Sequence, residues 1–142
     1  GLTALGAEVW LAGPSSLIPP EIEKTGAKVT YRLEEALRGA DVVMGLRLQK
    51  ERQTGGFLPS LREYSRYFGI NEGNLKVAAP EAMVMHPGPV NRGIELTSEV
   101  SASRGSVIDE QVTNGVAVRM ALLYLLAGGK SIGKEEQETC CV

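Results

Sequence analysis

Two short segments hold the side chains and backbone groups best suited to chemistry. The first is Arg47-Leu48-Gln49-Lys50-Glu51-Arg52. Side chains alternate along an extended backbone, so Arg47 and Gln49 point the same way. Arginine offers a planar, permanently charged fork, and a glutamine amide beside it adds a donor that discriminates orientation. Together they suit a carboxylate, with Glu51 as the natural residue to hold an arginine in place. The same charges at a strand end are equally compatible with a solvated surface ladder.

The second segment, His86-Pro87-Gly88-Pro89-Val90-Asn91-Arg92-Gly93, works through its backbone. Pro87 and Pro89 restrict the chain and have no N–H to donate, while Gly88 allows a ligand close to the main-chain carbonyls. Such a loop offers carbonyl oxygens to NH groups. His86 is the single histidine, and it reads either as a structural residue before a Pro-rich turn or as a general acid or base. Arg92 and Glu95 fit a local pair or one across a subunit boundary, and these two, like Asn114 and Arg119 on the last helix, fit either surface pairing and capping or contact with a ligand. No Ser, Cys or His arrangement resembles a nucleophilic triad. Gly13-Pro14-Ser15-Ser16 follows an apolar run but is neither G-x-G-x-x-G nor a Walker sequence, which argues against a nucleotide site.

The elements that must position these segments alternate. Ala4 to Ala7 ends a helix near Gly6, and Glu8 to Ala12 is a short apolar strand stopped by Gly13-Pro14. Glu21 to Gly26 is a short helix after Pro19-Pro20, Ala27 to Tyr31 a second strand, and Leu33 to Ala40 a helix capped at Gly39. Asp41 to Arg47 is a third strand, apolar enough to be covered on both faces and polar at its C-terminal end. Residues 49–60 form a loop before a helical stretch at 61–70, and Ala82 to Met85 is a fourth strand running into His86. Asp109 to Ala127 places Val112, Val116, Met120, Leu123 and Ala127 at helical spacing, which predicts a long, largely buried helix stopped at Gly128-Gly129. The pattern is that of a doubly wound parallel α/β sheet flanked by helices, Rossmann-like, whose ligands bind outside the carboxyl ends of the strands. Both chemical segments sit at such ends.

Composition sets the outer bounds. With 142 residues, 43% hydrophobic and 23% charged, the chain is sized for one domain, read as residues 1–129 followed by a disordered tail at 130–142. A formal charge of −2 and a pI near 5.5 argue against nucleic-acid or anionic-membrane partners. Cys140 and Cys141 are adjacent at the end of the chain, with no spaced ligand companions for a metal and no reach for a structural disulfide, so a reducing, cytoplasmic protein is expected. The terminal sequence is not a prenylation box, because position 139 is Thr139.

At LRLQKER together with MHPGPVNRGIE the chain resembles the aspartate carbamoyltransferases, which transfer a carbamoyl group from carbamoyl phosphate to L-aspartate in pyrimidine biosynthesis. The resemblance runs from Gly1 to about Gly129 and includes the final helix, NGVAVRMALLYLL. The sister ornithine enzymes carry an H-C-L-P motif, where this chain has His86-Pro87-Gly88-Pro89, so aspartate is favoured. The resemblance implies that Arg47 binds the aspartate β-carboxylate with Gln49 beside it, that Lys50 belongs to a closing loop, and that Glu51 holds Arg47. The carbonyls of Pro87 and Gly88 would accept hydrogen bonds from the carbamoyl amide and the aspartate amine, with His86 supporting them. No covalent intermediate, catalytic side chain of this segment, cofactor or metal is implied.

The same resemblance implies partners. Nothing here resembles the family's phosphate-binding Ser-Thr-Arg-Thr segment, which lies in an N-terminal carbamoyl phosphate domain. A homotrimer of catalytic chains is expected, as is a central strand preceding the helix at 4–7, whose loss would leave two ladder edges open. On this reading the chain by itself is inactive. A non-catalytic module that binds aspartate or another dicarboxylate is the alternative.

Overall fold

The computed structural model describes residues 1–48 and 60–127. Four three-residue strands, β1 (Trp10–Ala12), β2 (Lys28–Thr30), β3 (Val42–Met44) and β4 (Met83–Met85), alternate with helical segments. The helices are α1 (Leu33–Leu37), α2 (Leu61–Phe68), α3 (Glu72–Leu75), α4 (Ser98–Ser101) and α5 (Ile108–Leu126). Short 3-10 turns at Thr3–Leu5 and Ile22–Thr25 end at Gly6 and Gly26, both left-handed, with φ of 87° and 84°. Glycine reaches that region without the clash a Cβ would bring.

The strands form two parallel pairs, β1 with β2 and β3 with β4. Edges of β1 and β3 face a cavity of about 170 Å³ lined by Trp10, Leu11 and Ala12 on one side and Val42 to Leu46 on the other. Among the described residues no strand pairs with the other edge of β1 or of β3. The β3–β4 pair continues past its strands, since Gly45 N–H donates to Met85 O at 2.9 Å. Val84 is also bridged to Gly105–Val107, with Val84 N–H to Gly105 O at 2.8 Å and Val107 N–H to Val84 O at 3.0 Å.

The core comprises Leu37, Val43, Ile70, Val84, Leu96 and Val100. It covers only one face of β3: Val43 is buried, but Val42 and Met44 are 45% and 46% exposed. The expectation of a strand covered on both faces is therefore corrected. Alternating side chains reach opposite sides of the sheet, and here one side carries the whole core.

Local capping explains the short helices that periodicity does not reveal. Ser60 accepts the Glu63 N–H at 3.0 Å and starts α2, where Tyr64 and Phe68 pack one turn apart, ring centroids 5.8 Å. Asn71 and Asn74 form a reciprocal capping box at α3, and Thr97 accepts the Val100 N–H at α4.

Helix α5 departs from its expected burial. None of its residues is buried, and Val116, Met120 and Leu123 are 49%, 66% and 69% exposed. The apolar residues recur as expected, but from Val116 onward they stay exposed; helical periodicity records that a face is apolar and not which surface covers it. No helix of the described residues is long and apolar enough to cross a membrane.

Candidate functional site

The site begins at the carboxyl ends of β3 and β4. Gly45 follows β3 and packs against His86: a Cβ at this position would lie 3.3 Å from His86 Cδ2 and 3.3 Å from Leu96 Cγ. Arg47 stands two residues further on, half-buried, followed by buried Leu48. The Leu48 carbonyl accepts a hydrogen bond from Asn91 Nδ2 at 3.3 Å, so the backbone bearing Arg47 is tied directly to the loop after β4. Gln49, Lys50 and Glu51 lie outside the described residues, as does the residue 130–142 tail.

His86 is wholly buried at the end of β4. Its N–H donates to Gln111 Oε1 at 2.8 Å, which ties the strand end to α5. Its Nδ1 accepts the Gly88 N–H at 2.9 Å and so carries no proton, placing the proton of the neutral ring on Nε2. Nε2 lies 3.3 Å from Glu95 Oε1, too poorly aligned for a hydrogen bond. Burial lowers the imidazole pKa from its ordinary 6.5, against the opposing pull of Glu95. Nδ1 is thus occupied by its own loop, and the ring is sealed from solvent.

Pro87 is exposed and Gly88 partly so, with φ of 67° at Gly88. Both line an open groove of about 950 Å³ that continues along Arg92, Ser103, Ser106 and the first turns of α5. Among the described residues no hydrogen bond reaches either carbonyl, so both acceptors remain available to a ligand. A side chain at 88 would be strained by the positive φ and would approach Val112 Cγ2 at 3.5 Å.

Sequence reasoning named Glu95 as a partner of Arg92 but missed its burial. It is 1% exposed, and its Oε1 accepts the Asn91 N–H at 2.7 Å. Its charge and, above all, burial hold the Tyr64 hydroxyl above the ordinary tyrosine range, burial being the larger cause. The local pair with Arg92 does not form: Arg92 is exposed on the groove while Glu95 turns inward. A visible signal was a single charge flanked by Ile94 and Leu96 within an otherwise irregular segment. Asn114 and Arg119 are exposed on α5, away from the strand ends.

Comparison with known proteins identifies the family. The family model described as aspartate/ornithine carbamoyltransferase, Asp/Orn binding domain, matches residues 1–126. Over 126 residues the chain is 67% identical to the aspartate carbamoyltransferase catalytic subunit of Acetivibrio thermocellus, covering 89% of this chain and 40% of that one. It is 63% identical over 129 residues to the protein of the same name from Pelotomaculum thermopropionicum, covering 91% and 42%. Among solved structures, ornithine carbamoyltransferase from Pyrococcus furiosus superposes with a TM-score of 0.75 at 30% identity, covering 89% of this chain and 44% of that one. The Thermus thermophilus ornithine carbamoyltransferase gives 0.74 at 27% identity, with 88% and 42% covered. The chain thus spans about 40% of the length of the catalytic subunits it matches. With its parallel strands flanked by helices and a family match over residues 1–126, the chain belongs to the aspartate/ornithine carbamoyltransferase family, in its Asp/Orn-binding domain.

Proposed function

We propose that the chain supplies the aspartate-side half of a site that transfers a carbamoyl group from carbamoyl phosphate to L-aspartate, giving N-carbamoyl-L-aspartate and phosphate for pyrimidine biosynthesis. The observation that carries this reading is the join between the two strand ends. Leu48, next to Arg47, is bonded to Asn91 of the loop whose Pro87 and Gly88 carbonyls are open. That tie between the backbone beside Arg47 and the loop supports one site in which a guanidinium takes a carboxylate and carbonyls take an amine and an amide. Aspartate is preferred to ornithine because a cationic guanidinium repels a second cation, and because the relatives at 60–67% identity are named for aspartate.

In the reaction the neutral amine attacks the carbamoyl carbon, a C–N bond forms, the C–O bond to phosphate breaks, and the proton lost by the amine leaves with the phosphate. This requires positioning and charge stabilisation rather than a nucleophile of the protein. Arg47 orients the aspartate, with Gln49 beside it, Lys50 on the closing loop and Glu51 holding Arg47. The Pro87 and Gly88 carbonyls fix the reacting nitrogens, and His86 holds their loop from below.

The carbamoyl phosphate domain, N-terminal in the longer enzyme, and neighbouring catalytic chains of a cytoplasmic homotrimer complete the site. The uncovered apolar stripe of Val116, Met120 and Leu123 supports a docking face for the rest of the enzyme. The test is to join residues 1–126 to the N-terminal part of the Acetivibrio thermocellus catalytic subunit and to assay carbamoyl aspartate. Turnover by the joined enzyme and none by the 142-residue chain alone is expected. A joined enzyme that binds aspartate without turnover would favour a non-catalytic dicarboxylate-binding module.

A further inference from the structure

Glu95 is the one buried carboxylate of the described residues. Its own carbonyl accepts the Ile70 N–H at 2.9 Å, which fastens its backbone to the segment after α2. From that fixed point the side chain reaches the loop in two places: Oε1 takes the Asn91 N–H at 2.7 Å and faces His86 Nε2 at 3.3 Å. Each of those residues then holds one half of the candidate site. His86 Nδ1 accepts the Gly88 N–H at 2.9 Å, and Asn91 Nδ2 donates to the Leu48 carbonyl at 3.3 Å. Oε2 has no hydrogen-bond partner among the described residues. A half-satisfied buried carboxylate costs stability, so its contribution is to be sought in what it positions.

We infer that Glu95 is a positioning residue, the common anchor that sets the distance between the Gly88 carbonyl and the Arg47 backbone through His86 on one side and Asn91 on the other. The inference rests on the aspartate-side reading above. Without the carboxylate the imidazole loses the neighbour facing its Nε2–H and the Asn91 amide loses its acceptor. The loop is then free to drift relative to Leu48. A drift of about 1 Å at a positioned group costs on the order of 100-fold in rate. The loss should fall on aspartate turnover and leave the core intact.

The test compares Glu95→Ala and Glu95→Gln in the joined full-length enzyme, with amide hydrogen exchange read alongside kinetics. Glu95→Ala should lower kcat/KM for L-aspartate by on the order of 10- to 100-fold, and Glu95→Gln, which keeps an acceptor for Asn91, should recover part of it. Exchange at the Gly88 and Asn91 amides should quicken in Glu95→Ala, while Ile70 and Thr97, paired through the backbone alone, stay protected. Unchanged exchange and unchanged kcat/KM overturn the inference, as does a loss that tracks faster exchange at Ile70, which marks a merely structural role. Should Glu95→Ala not fold, Glu95→Gln decides: a kcat/KM equal to that of the parent overturns the inference. An inactive parent enzyme instead refutes the aspartate-side reading, and exchange at Gly88 and Asn91 still decides whether Glu95 anchors the loop.

Discussion

Replacing Gly45 by alanine adds one methyl group at the point where β3 hands over to the Arg47 segment. That carbon would stand 3.3 Å from His86 Cδ2, 3.3 Å from Leu96 Cγ and 3.4 Å from Leu96 Cδ2. Neither neighbour has room to yield. Both residues are 0% exposed, and the imidazole is pinned through Nδ1 by the Gly88 N–H at 2.9 Å. Overpacking a closed core by one carbon costs about 1–3 kcal/mol, a large part of the roughly 5–15 kcal/mol that stabilises a domain. Urea unfolding of Gly45→Ala should show a lower midpoint with an unchanged slope. Gly115→Ala is the control, because the nearest atoms, the tip of Arg119, are 3.7 Å away in the middle of α5. There alanine should stabilise by about 0.5–1 kcal/mol through helix propensity. A Gly45→Ala protein as stable as the parent would refute the close packing of His86 on β3 and the account of the loop built on it.

Further outcomes follow from the same contacts. Arg47→Ala in the joined enzyme should raise KM for aspartate by on the order of 10- to 100-fold, the worth of a charge-assisted hydrogen bond, and leave KM for carbamoyl phosphate unchanged in steady-state kinetics. Leu96→Ala, at a site 0% exposed, should cost about 2–5 kcal/mol in urea unfolding. His86 should make stability pH-dependent. Its folded pKa lies below the ordinary 6.5, so the unfolded chain binds the proton more readily. The contribution is complete above about 6.5 and is lost as pH falls below it; with a single histidine in the chain, His86→Gln should abolish that part of the slope between pH 5 and 7 in unfolding curves. Leu123→Glu, at a side chain 69% exposed, should leave the stability of the chain nearly unchanged but weaken its association with the N-terminal part in a binding titration.

Each strand was legible as an apolar run before a Gly, Pro or polar break, and the strand ends pointed to Arg47 and the loop at 86–93. Burial was less legible. Val42 and Met44 resemble core residues by type, yet which face of a strand is covered depends on elements distant in sequence. The same holds for Met120 and Leu123 on α5, whose apolar stripe reads identically whether a partner covers it or not. Helices α3 and α4 have four residues each, too few for a period, and only the caps Asn71 and Thr97 mark them. The burial of Glu95 escaped because a buried charge is defined by its tertiary partners, here Asn91 and His86, and local sequence does not encode them.

The most direct test of the central claim is the ratio of kcat/KM for L-aspartate to that for L-ornithine in the joined enzyme, with carbamoyl phosphate saturating. The account predicts carbamoyl aspartate as the product and a strong preference for aspartate that collapses in Arg47→Ala. Preference for ornithine, or a preference for aspartate that survives the loss of Arg47, would contradict it.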